Sequence, residues 1–216
     1  MDLTESYVHF LPQVIRERFE IREVRNAAGI IASTSPEEWA EIVTVLDDLE
    51  LNKADILGAG GSKSDMANRT DTAFRELGWR EGRVDTSISL SVTTSAWKDD
   101  PAEVLVSEVN SEGYKVDNFK GRIALDVEWN AKDGNLDRDI GAYRALYDAG
   151  VIDAAVIITR TLDLRELALE LDPESKKFNT TTTTNLTKLE PRMTRGDAGG
   201  CPILAVAISR RGYTGH

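Results

Sequence analysis

Residues 116–160 read VDNFKGRIALDVEWNAKDGNLDRDIGAYRALYDAGVIDAAVIITR. Ile123 to Trp129 is a short, mostly apolar run that suits a strand. Val151 to Thr159 is a continuous apolar run of the kind a strand buried on both faces displays. Between them, Asp137 to Ala149 carries Ile140, Tyr143, Leu146 and Tyr147 on one side and closes at Gly150, which is the pattern of a core-facing helix with a glycine stop. Strand, helix and strand in that order predict a parallel crossover.

Working outward, residues 83–94 (RVDTSISLSVTT) alternate Val84, Thr86, Ile88, Leu90 and Val92 with polar neighbours, the period of a half-buried strand that begins the sheet. A helix from about Leu162 to Leu171 ends before Pro173, and Pro202 to Ser209 supplies a closing strand. Toward the N-terminus, Ser35-Pro36-Glu37-Glu38 has the form of a capping box. The helix after it carries Trp39, Ile42, Val43, Leu46 and Leu49 on one face, which suits either the core or an interface between copies. Gly58 to Ser62 reads as a loop, with Ser64 or Asp65 capping a second helix that carries Met66, Phe74 and Leu77. The expected architecture is α/β, a mixed central sheet flanked by helices, in one domain over residues 1–216. Within it, 1–80 is mainly helical, 83–160 forms the core and 176–216 holds loops and the last strand.

Composition narrows the chemistry. A chain of 216 residues with 41% hydrophobic content is long enough for one sizeable core. No apolar run approaches the roughly 18 residues that span a bilayer, and the opening residues lack the order of a secretory signal, so a cytoplasmic protein is expected. A single cysteine, Cys201, and two histidines, His9 and His216, exclude a Cys/His zinc cluster and disfavour Ser-His-Asp chemistry. The net charge is −11, yet from Lys176 onward seven basic residues face two acidic ones. That tail is either a solvated face or a patch for phosphates.

Three acids carry the strongest chemical signal: Asp117, Asp126 and Glu128. Positions two apart on a strand share a face, so Asp126 and Glu128 either converge on one site or occupy the wet face of an edge strand. If they converge, a hard divalent cation such as magnesium suits their oxygens, and Asp117, placed in the turn before the strand, reaches the same ion. Asp133 to Asp139 offers a rival, with the alternating acids of a calcium loop. Arg138 and Arg144 stand where that loop needs glycine and glutamate, so a polar loop opening a helix is the better reading.

The whole run from Val116 to Arg160 resembles the catalytic core of BglII- and BstYI-type restriction endonucleases and the related BamHI arrangement. In these, an upstream Asp precedes a strand bearing acid-x-acid, then a helix and an Ile-Asp-x-Ala strand, here Ile152 to Ala155. Weaker similarity extends to Tyr7–Phe10, Leu77–Glu81 and the Pro202 strand. The resemblance implies a PD-(D/E)xK nuclease core and a homodimer around double-stranded DNA. It also implies magnesium held by Asp117, Asp126, the Val127 carbonyl and Glu128, and a cognate DNA methyltransferase in the same system. Glu128 stands where most of the superfamily has lysine and acts as general base or second-metal ligand. A polar residue from the preceding helix is expected near the metal, with Asn68 the candidate and Asp65 its competitor. Base recognition is expected from Asn130, Lys132, Asn135 and Arg138, and from Asn179, Thr180 to Thr184 (Thr181 and Thr183 among them), Asn185 and Arg195. The expected substrate is a palindrome with a central GATC, cut to leave 5′ overhangs. Two other functions fit the residues: a PD-(D/E)xK nuclease of repair or recombination, and a non-catalytic calcium-dependent binding module.

Overall fold

Every residue of Ala154–Arg160 and of Ile203–Ile208 is buried. Strands with no wet face need cover on both sides, so helices must lie above and below their sheet. The structure, a computed structural model, describes residues 1–58, 65–179 and 181–215 and has that layering. The chain begins with β1 (Leu3–Thr4), α1 (Tyr7–Phe10), α2 (Gln13–Arg18), β2 (Phe19–Val24), α3 (Ala27–Thr34), α4 (Pro36–Asp48), α5 (Lys53–Leu57) and α6 (Asp65–Glu76). It continues with β3 (Arg80–Thr93), β4 (Val104–Lys120), β5 (Ile123–Val127), α7 (Gly134–Asp148) and β6 (Ala154–Arg160). Last come α8 (Leu164–Leu171), α9 (Leu186–Arg195) and β7 (Ile203–Ile208).

Among the described residues these strands form one sheet in the order β1-β2-β7-β6-β5-β4-β3. β5, β6 and β7 run parallel to one another, while the outer pairs are antiparallel, so the sheet is mixed. α7 is the crossover from β5 to β6. On one face Leu125, Val156, Ile158 and Val206 pack against Ile31, Leu46, Phe74 and Leu164 from α3, α4, α6 and α8. On the other, Ala124, Ala155, Ile157 and Ala205 meet Ile140 and Tyr143 of α7 and Leu189 and Met193 of α9. Alternation along β5 sends Asp126, two residues after Ala124, to the α7 side.

Several expectations change. The α4 face of Trp39, Ile42, Val45 and Leu46 is buried in the core, so of the two expectations for this apolar stripe the structure has the core. Pro36 opens this helix, but the Ser35 side chain makes no capping hydrogen bond. The glycine-rich loop beyond Gly58, and Ser64, lie outside the described residues. The first 80 residues also hold β2, antiparallel to β7, whose FEIREV alternation was a legible strand signal. Glu23 on β2 is fully buried and accepts hydrogen bonds from the Ser6 backbone and hydroxyl and from Ala28, tying α1 and α3 to the sheet.

Residues 83–94 are half-buried only at their start, where Val84 packs against the core and Thr86 is partly covered; from Ser87 to Thr94 every residue is exposed. β3 pairs only with β4, and together they form an arm in which Leu90 and Leu105 are 57% and 60% exposed. Their pairing slips between Arg80 and Gly82, and Val116 and Phe119 consequently both face α7. Such an irregularity re-aims the intervening residues, here Asp117 and Asn118. Among the described residues no helix is long and apolar enough to cross a membrane.

Leu46 is fully buried against α4's neighbours, whereas Leu162 is 52% exposed. Leu46→Ala is expected to lower unfolding stability by about 2–5 kcal/mol, and Leu162→Ala by under about 0.5 kcal/mol. Equilibrium urea unfolding of the two variants checks this.

Candidate active site

β5 ends at Val127, and the chain leaves the sheet through Glu128, Trp129 and Asn130. Asp126 and Glu128 are only 2% and 3% exposed, and both turn toward α7. The Asp117 amide donates to Asp126 Oδ1 at 2.8 Å, and the Tyr143 hydroxyl donates to Oδ2 at 2.5 Å. The Asn135 amide lies 3.4 Å from Glu128 Oε1. Asp139, fully buried on α7, adjoins Glu128, and Arg138 donates to its Oδ1 at 3.1 and 3.2 Å.

Three carboxyls so placed resist ionisation. Burial, then the charge of Asp139, raises Asp126 well above the usual carboxylate range. Burial pushes Glu128 up to about 7, and burial together with the Glu128 charge pushes Asp139 up to about 8. Burial and the charge of Asp126 also keep the Tyr143 phenol protonated, so it stays a donor. Glu128 Oε2 and Asp139 Oδ2 are buried without an amide, guanidinium or hydroxyl donor among the described residues. Glu128 and Asp139 hydrogen-bond to each other, so the metal-free protein holds a proton between them; crowded acidic oxygens of this kind are also the ligand chemistry of a hard divalent cation. Among the described residues no group of three or more His, Cys, Asp or Glu side chains is placed to hold a metal ion, and both Asp126 oxygens are turned to Asp117 and Tyr143. The fit to a cation is therefore one of donor chemistry: three buried carboxyls crowded at the exit of β5. The buried Cys201 thiol, pushed up to about 12, offers no nucleophile.

The candidate residues fall into place unevenly. Asp117 is half-buried within β4 beside Asp126, rather than in the turn before β5; that turn is Gly121-Arg122. Val127 closes β5 between the two acids. Asn68 is exposed on α6, which packs on the opposite face of the sheet from Asp126. The inward polar residues of α6 are Thr70 and Asp71, of which Asp71 accepts from Asn118 at 2.8 Å, and Asp65 is exposed. The further acid comes instead from α7. Asp139 lies on the buried stripe of Leu136, Ile140 and Tyr143, and an acid on an apolar helix face was the signal for it.

The calcium-loop reading of Asp133 to Asp139 does not hold. α7 starts at Gly134, and the acids part company. Asp133 pairs with Lys188 at 2.8 Å and Asp137 with Arg192 at 2.6 Å, both held below the usual carboxylate range by these cations, while Asp139 turns inward.

The two segments expected to read DNA meet in space. Lys132 bridges Thr183, the Asp133 amide donates to the Thr182 carbonyl at 2.9 Å, and the Thr184 amide to the Ala131 carbonyl at 2.9 Å. The Glu128 carbonyl accepts from the Thr159 and Thr184 hydroxyls, each at 2.9 Å. Asn130, Lys132, Asn179 and Thr181 are exposed on this joint surface, with Thr183 half-buried and Arg138 exposed beside the acids. Asn185 belongs to the framework: it is buried, its Oδ1 caps α9 by accepting from the Lys188 amide at 3.1 Å, and its Nδ2 donates to the Thr183 carbonyl. Arg195 stands at the far end of α9, paired with Asp197 at 2.6 Å, and does not join this surface. Thr180 lies outside the described residues.

With the protein free of divalent ions, the raised acids set the sign of its pH response. The folded state retains protons on Glu128 and Asp139 that the unfolded chain releases from about pH 4 upward, so these groups favour folding at low pH. Their contribution is lost as pH rises through about 7 to 8. Glu128→Gln removes one of the two groups and is expected to flatten the fall in Tm between pH 5 and 8. Thermal unfolding in chelator across that range checks it, and equal slopes for variant and parent would contradict the assignment.

No curated protein sequence matches the chain. The profile of the restriction endonuclease BglII/BglIII family matches residues 19–208. That span runs from the first residue of β2 to the last of β7, and so takes in the buried acids, α7 and both loops. The chain belongs to the restriction endonuclease BglII/BglIII family and is accordingly a type II site-specific endonuclease.

Proposed function

We propose that this endonuclease uses magnesium to hydrolyse one phosphodiester in each strand of a palindrome with a central GATC, leaving 5′ overhangs, and does so as a homodimer. The observation that carries the reading is the buried acid group at the exit of β5, joined through the Glu128 carbonyl to an exposed polar surface. The GATC core and the overhang rest on the family resemblance.

Magnesium would be held by Asp117, Asp126, the Val127 carbonyl and Glu128, with Asp139 adjoining; when bound it offsets phosphate charge and makes a coordinated water easier to deprotonate. Tyr143 and the Asp117 amide orient the Asp126 carboxylate. Glu128 would serve either as general base toward the attacking water or as ligand to a second metal; its raised pKa belongs to the metal-free protein, and a bound cation would lower it. Arg138 places positive charge next to these acids, which lowers their repulsion of an incoming phosphate. Asn130, Lys132, Asn179, Thr181 and Thr183 offer the amide, ammonium and hydroxyl groups that meet base edges and phosphates.

The arm supports the dimer. Ile88, Leu90 and Val92 share one face with Leu105 and Val109, all exposed. Between residues 85 and 112 the chain has six acids and one base, a balance that repels DNA phosphate and leaves a protein surface as the partner. Leu90→Asp is expected to shift the protein from dimer to monomer in light scattering at micromolar concentration. An unchanged mass would remove the arm from the interface. The reading also places the enzyme in the cytoplasm, with a methyltransferase of the same specificity protecting host DNA.

Unmethylated phage DNA incubated with protein and magnesium should give discrete fragments whose sequenced ends share one palindrome, while calcium in place of magnesium gives none. Asp126→Ala should abolish cleavage and leave specific binding intact or tighter, because one carboxylate less also means less repulsion of phosphate. Intact DNA on substrates known to contain many palindromes, or cutting by Asp126→Ala near the parent rate, would overturn the assignment.

A further inference from the structure

Arg160 ends β6, and its side chain is fully buried. No carboxylate pairs with it among the described residues, and its Nε is buried without a hydrogen-bond partner. Burial lowers the guanidinium to about 10, which leaves it charged at neutral pH. A buried cation with no counter-ion is costly, and an apolar residue of the same volume is usually tolerated or preferred in such a place. Stability alone does not account for an arginine here.

Its neighbours show what it joins. Nη2 donates to Thr183 Oγ1 at 2.9 Å and lies 3.4 Å from Asn130 Oδ1, and Nη1 donates to the Thr161 carbonyl at 3.2 Å. The guanidinium lies 4.6 Å from the centroid of the Phe178 ring, and that ring packs edge-on against Trp129 with centroids 5.7 Å apart. Phe178 has φ of 55°, in the left-handed region that a bulky side chain enters only when its surroundings hold it there. Trp129 follows Glu128 directly, and Phe178 immediately precedes the polar loop 179–184. One side chain thus touches the exit of the catalytic strand, the entry to the second polar loop and a threonine within it.

Building on the endonuclease reading, we infer that Arg160 is a positioning residue that couples the polar DNA-facing surface to Glu128, through Thr183 and Asn130 on one side and the Phe178–Trp129 stack on the other. A misplaced loop then shifts the Glu128 segment, so the chemistry responds to whether the loop has met its cognate bases. Thr184, whose hydroxyl bonds the Glu128 carbonyl, is the second strut of the same link.

The test uses Arg160→Met, which keeps bulk without charge, Arg160→Lys, which keeps charge without the fork, and Thr183→Val. Each is measured for Tm, for Kd on a cognate duplex in calcium, and for single-turnover cleavage in magnesium of the cognate site and of sites with one base pair changed. Amide exchange at Thr184, whose N–H bonds the Ala131 carbonyl, is followed without DNA. Arg160→Met is expected to match or exceed the parent Tm, to bind cognate DNA within a few-fold, and to cut it at least about tenfold more slowly, since an ångström-scale misplacement costs up to about a hundredfold. Its cognate-to-variant rate ratio should fall and Thr184 exchange should quicken; Thr183→Val, which removes the acceptor of Arg160, should also quicken Thr184 exchange in the absence of DNA. If Arg160→Met does not fold, Arg160→Lys decides by the same readouts and Thr183→Val by Thr184 exchange without DNA. Parent-like rates, discrimination and exchange would overturn the inference, as would a loss of activity that only follows a loss of Tm. Should the parent leave DNA uncut, the endonuclease reading falls, and Thr184 exchange still reports separately whether Arg160 holds the two segments together.

Discussion

Asp126, Glu128 and Asp139 share a space from which water is largely excluded, and that crowding is the constraint on which the arrangement around them depends. Carboxyls so placed ionise reluctantly, since burial and mutual repulsion both favour the neutral form. A fold keeps such a group only where something offsets its cost. Here the partial compensation is local: the Asp117 amide and the Tyr143 phenol on Asp126, and Arg138 on Asp139. Glu128 and Asp139 offset part of the remaining cost by sharing a proton, which a divalent cation would displace on binding.

The sheet explains how this site is held still. β5 and β6 are buried on both faces between α7 on one side and α4 and α6 on the other, so the end of β5 has little freedom. The loops that meet there take their positions from the same strands. Thr159 at the end of β6 and Thr184 before α9 both hold the Glu128 carbonyl, and backbone bonds from 131 to 184 and from 133 to 182 lock the two polar segments edge to edge. Residues far apart in the chain therefore form one surface because they share the carboxyl ends of parallel strands, the usual place for a site in such a sheet.

The central crossover was legible because its signals are local: two apolar runs, one amphipathic helix and a glycine stop. Asp126 and Glu128 were legible for the same reason, being two apart on a strand. What escaped depends on the third dimension or on weak local signals. The exposed arm alternates like a half-buried strand, and only the sheet order shows that no second layer covers it. α9 hides behind a threonine-rich run and an internal Pro191, although Leu186, Leu189 and Met193 mark its buried stripe. Asp139 lies in a run of alternating acids that masks its place on the apolar stripe of α7, while Lys188 and Arg192 of α9 claim Asp133 and Asp137. Asn68 was expected near the metal from the family resemblance alone, and α6 packs against the other face of the sheet.

The most direct test of the account is crystallographic. Crystals of the protein soaked in manganese, a divalent ion with anomalous scattering that replaces magnesium among oxygen ligands, locate the cation without reference to activity. The account predicts an anomalous peak within coordination distance of Asp126 and Glu128 oxygens on the α7 side of β5. A peak confined to Asp133 and Asp137, or none at an ion concentration that supports DNA cleavage, would contradict it.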